Sequence, residues 1–67
     1  MNQLLRSDLK QLHDMMVRFN ELEEKLEVDM PHHERQIMLV ARHMLKELIA
    51  NKTRDVRRRM REMKRYQ

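Results

Sequence analysis

At 67 residues and without a single cysteine, the chain has room for one small domain and nothing to staple it, neither a disulfide nor a thiolate-bound metal. Self-association is the staple that remains for a core this modest. It has no run of ~18 apolar residues to span a membrane, and no apolar segment near Met1 resembles a signal peptide. A cytoplasmic or nuclear protein, neither secreted nor membrane-spanning, is therefore expected. Glycine is absent, proline occurs once, and Leu, Met, Glu, Lys, Arg and Gln dominate. These are the strong helix formers, so residues 1–67 are predicted to be a single all-α domain.

The first predicted element is an amphipathic helix over about residues 3–27. Leu5, Leu9, Leu12, Met16, Phe19 and Leu26 recur at spacings of mostly three and four, with Met15 and Leu22 widening the stripe. Asn2 or Ser7 can cap its start, with Asp8 complementing the macrodipole if Ser7 is the cap. Glu21, Glu23, Glu24 and Glu27 form an acidic run with no nucleophile or rigid loop around it, which reads as solvated surface. Glu23 stands apart because it falls on the apolar stripe. It is expected to pair with a base on a neighbouring helix and fix register.

The only punctuation follows, at Val28-Asp29-Met30-Pro31. Proline keeps Met30 out of the α region and favours the first turn of a new helix, so residues 28–31 are predicted to be a tight turn in an antiparallel hairpin. A competing pattern runs through the proline as Leu26, Met30, His33, Ile37, Val40 and Met44, as in one kinked rod of a parallel coiled coil. An interior proline costs a helix about 3 kcal/mol, which favours the hairpin.

Helix two is predicted over about residues 32–65 and carries two apolar stripes. Ile37, Val40, Ala41, Met44 and Leu48 form one, which ends where Asn51 and Asp55 would continue it. Met38, Leu45, Ile49, Val56, Met60 and Met63 form the other, offset by roughly 90°. One hairpin partner covers one stripe, so a second copy is the simplest cover for the other, giving a homodimeric four-helix bundle. The second stripe is the expected oligomer or partner interface. Met60 and Met63 are expected to lie beyond the reach of helix one, as an exposed patch for protein–protein interaction.

Charge is uneven. Residues 1–30 carry a net −3 and residues 31–67 a net +7, which favours pairing of the halves in an antiparallel fold. Most of the excess lies in the basic extension 54–65. Arg54, Arg57, Arg58, Arg61, Lys64 and Arg65 fall within roughly 120° of one another on a helix. The same-face arginines suit phosphate, since guanidinium is a better fork for it than ammonium. Weak pairs Asp55–Arg59 and Arg58–Glu62 fit the helical spacing. His13, His32, His33 and His43 have no metal-ligand spacing; His43 stands four residues before Glu47, an ordinary helical pair.

No catalytic, cofactor or metal motif is present. The expectation is a small, non-enzymatic regulatory protein that self-associates and binds nucleic acid through the ridge, with no cofactor, membrane or small-molecule substrate. The alternative is an adaptor or inhibitor that grips a folded, acidic or helical protein surface through its methionines.

Overall fold

The computed structural model describes residues 3–65, and the side chains of residues 3–64. Two helices make up the fold, α1 over Gln3–Leu26 and α2 over His32–Arg65. They are antiparallel, joined by a short bend at the predicted turn, and no strand occurs among the described residues. The result is a rod of 54 × 15 × 14 Å with a radius of gyration of 15.7 Å, against about 11 Å for a compact domain of this length.

The bend is built without glycine and without any positive-φ residue among those described. The last turn of α1 tightens, with Glu27 N–H donating to Glu24 O at 3.2 Å and Val28 N–H to Lys25 O at 3.2 Å. The carbonyls left over at this helix end are satisfied from across the bend. The Arg35 guanidinium donates to Leu26 O at 3.1 Å and to Val28 O at 3.2 Å. On the far side, Pro31 O accepts the first helical bond from Arg35 N–H at 3.0 Å. Proline thus stands at the threshold of α2, where its missing donor costs nothing. The kinked-rod alternative is not what forms. Asn2, offered as a cap, lies outside the described residues.

The seam between the helices follows a strict alternation of three- and four-residue steps. On α1 it holds Leu5, Asp8, Leu12, Met15, Phe19, Leu22 and Leu26; on α2, Arg35, Met38, Arg42, Leu45, Ile49, Lys52, Val56, Arg59 and Met63, every one of them buried or half-buried. This is the period of an antiparallel two-stranded coiled coil. It corrects the sequence reading of α1 by a fraction of a turn. Leu9 and Met16 stand outside, 40% and 50% exposed, while Met15 and Leu22 are the seam residues. Admitting Asp8 to the stripe sets this phase.

Packing is tightest at the open end, where Leu5 is 6% and Val56 5% exposed and Asp8 lies beside them at 8%. Asp8 does not serve the start of α1, which has no acid in its first turn. Instead its carboxylate accepts from Lys52 Nζ at 3.2 Å and pairs with Arg59 Nε at 2.8 Å. Towards the bend, Glu23 pairs with Arg42 at 3.3 Å, the cross-helix partner expected of it. Both members of that pair are more than two-fifths exposed, so it fixes register more than it stabilises.

Candidate nucleic-acid interface

The ridge is laid down by helical geometry on the outer face of α2. With Val56, Arg59 and Met63 turned to the seam, Arg54, Arg57, Arg58, Arg61 and Lys64 must face away from α1, and all five are exposed. Arg54 to Lys64 spans about 15 Å at ~1.5 Å rise per residue. Arg54 donates to Asn51 Oδ1 at 2.8 Å, and Arg58 pairs with Asp55 at 3.6 Å. Arg57, Arg61 and Lys64 have no carboxylate partner among the described residues. Together with Met60, these arginines line a shallow, open depression along the helix. The side chain of Arg65, also expected on the ridge, lies outside those described.

The basic residues of this segment divide into two groups; spacing had already left Lys52 and Arg59 off the ridge, but it did not find the partner that draws them inward. Lys52 and Arg59 turn inward and share Asp8; the ridge residues turn outward. The expected Asp55–Arg59 pair is replaced by Asp55–Arg58 because the buried carboxylate of Asp8 claims Arg59. No Arg58–Glu62 pair forms. Beneath the ridge lie Leu5, Val56 and Asp8, the most buried residues of the fold, so the cations project from its best-packed part. Asp8, Lys52 and Arg59 each continue a three–four stripe, a signal that becomes legible only when the two stripes are set against each other. Arg35 carried no sequence signal beyond standing soon after the proline.

The stripe expected to meet a partner is placed differently. Val56 is buried, and Met38, Leu45, Ile49 and Met63 are half-buried in the seam; of the six, only Met60 is exposed, at 48%. Ile37, Val40, Met44 and Leu48, from the other stripe, are 52–60% exposed. The exchange has a simple cause. The stripe through Ile49 matches α1 along its whole length, whereas the stripe through Met44 ends at Asn51 and would leave half of α1 uncovered. Met63 is half-buried, which leaves Met60 as the exposed methionine of the tail.

The halves of the chain do not neutralise each other. Among the described residues, only Asp8 with Lys52 and Arg59, and Glu23 with Arg42, cross the seam as ion pairs. Glu21, Glu24, Glu27, Asp29 and Glu34 gather exposed at the bend, while the ridge occupies the opposite end. The rod is negative at one tip and positive at the other. His43 pairs with Glu47 at 3.8 Å as the spacing allowed. Among the described residues no three His, Asp or Glu converge as metal ligands, and no helix is long and apolar enough to cross a membrane. Compared with protein-family models, with curated proteins and with solved structures, the chain matches none.

Proposed function

We propose that the chain is a small, non-enzymatic regulatory protein that self-associates and binds nucleic acid through the phosphate backbone, using Arg54, Arg57, Arg58, Arg61 and Lys64. The observation that carries this reading is the division of the arginines. A cation needed for folding is turned to the seam, as Arg59 is; five others stand on one outward face with Asp55 the single carboxylate paired among them. Like charges so arranged repel, and a polymer with one negative charge per ~1.7 Å of axis relieves that repulsion. The reading assigns these contacts to phosphate, which positions a protein without reading sequence, so binding is broad in sequence.

The test is fluorescence anisotropy with labelled RNA and duplex DNA across a salt series. Affinity falls steeply with salt, and Arg58→Ala with Arg61→Ala flattens the log–log slope by about two phosphate contacts without loss of helix. Absence of binding to either polymer at physiological salt, with the variants indistinguishable from the parent, refutes it. The adaptor reading rests on the exposure of Met60 beside the arginines. Capture of a folded protein that Met60→Glu abolishes, and that the arginine changes merely slow, would favour it instead.

A further inference from the structure

We infer that a second copy of the chain docks on the strip Ile37, Val40, Ala41, Met44 and Leu48, with the two α2 helices packed antiparallel about a two-fold axis beside Ala41 and Met44. The inference deepens the self-association in the function proposed above and rests on that reading. Three observations support this occupant and this orientation.

The first is area. The rod exposes 5950 Å², where a compact monomer of its mass exposes about 4,600 Å². The excess is of the order of 1,300 Å² per chain, and a homodimer interface of the obligate class removes about that much from each partner. Among the described residues no side chain is completely buried, so the seam alone leaves apolar surface that a second copy covers.

The second is shape. An isologous contact must be complementary to itself. Antiparallel pairing centred between Arg42 and His43 sets Ile37 against Leu48 of the other copy and Ala41 against Met44. The small residue beside the axis receives the long one, as close packing of facing helices requires.

Charge is the third, and it selects the orientation. The strip lies between the acidic bend and the basic tail. Parallel packing would set ridge beside ridge; antiparallel packing turns the Arg54–Arg58 start of each ridge towards the other copy's bend, where Glu27, Asp29 and Glu34 are exposed. The arrangement puts the two ridges at opposite ends of the dimer, their centres about 50 Å apart along the axis at ~1.5 Å per residue.

Sedimentation velocity and disulfide trapping test the proposal together. The unmodified chain runs at twice its 8.4 kDa mass, Met44→Glu runs as a monomer with its helical spectrum kept, and Met16→Glu, on the other flank, stays dimeric. For orientation, Ile37→Cys mixed with Leu48→Cys forms the crossed disulfide, and Ile37→Cys alone does not link to itself. A monomeric parent at all concentrations removes self-association altogether, leaving the strip to another partner. A dimer that survives Met44→Glu removes this surface alone, and ready self-linking of Ile37→Cys removes the antiparallel orientation.

Discussion

Asp8 is one carboxylate answering two cations in a fold with very few buried residues, so its removal should be felt throughout. In Asp8→Ala, Lys52 and Arg59 lose contacts at 3.2 and 2.8 Å. Removing one member of a buried ion pair costs about 3–5 kcal/mol when the orphaned charge cannot reach water. Here the side chain of Asp8 is 12% exposed, but those of Lys52 and Arg59 are 21% and 33% exposed. Their long stems can lift the charge to solvent, which reduces the expected loss to about 2–3 kcal/mol. A chain of this length has about 3–10 kcal/mol in all. The melting temperature should therefore fall by roughly 10–20 °C at fixed protein concentration, followed by circular dichroism at 222 nm. Glu23→Ala is the internal control, since the Arg42–Glu23 pair is 41% and 45% exposed and is worth at most about 1 kcal/mol. Replacing all three with apolar residues, Asp8→Leu with Lys52→Leu and Arg59→Met, should restore or exceed parental stability. If Asp8→Ala melts within a few degrees of the parent, or no lower than Glu23→Ala, the triad is not what holds the open end and the reasoning fails.

Two further expectations come from the same geometry. Arg35→Ala strips Leu26 O and Val28 O of their donors and should cost about 1–2 kcal/mol in urea unfolding; an unchanged midpoint would mean that water replaces the guanidinium. Ile49→Asp, by contrast, sets an unpaired charge in the seam and should abolish helical signal and assembly together, whereas a folded monomer from that variant would return Ile49 to an intermolecular face.

The two helices and their limits could be read from the sequence because one proline interrupts a chain of helix formers; nothing else competes locally. The pairing of Glu23 could be read as well, since a carboxylate on an apolar stripe demands a partner. The phase of α1 could not be read from apolar residues alone. Leu9 and Met16 compete with Met15 and Leu22 for the inner face, and the decision falls to Asp8, which counts as a break until Lys52 and Arg59 are seen opposite it. The same limit explains the exchanged stripes on α2. Hydrophobicity marks both, and what separates them is the length over which each matches α1, a property of the pair of helices. The ridge, which depends on local helical phase alone, projects as its spacing implied from Arg54 to Lys64.

The bend has one more consequence. No residue in it relies on a left-handed conformation, and two bonds from Arg35 hold its geometry. Residues 27–31 tether α1 to α2 at an effective concentration of the order of millimolar. At protein concentrations in that range, α1 of one chain competes for α2 of another, and every contact of the seam is kept in the exchanged pair. Samples concentrated to that regime and then diluted will retain swapped dimers for as long as the seam takes to unfold, and Arg35→Ala will lower the concentration at which they first form.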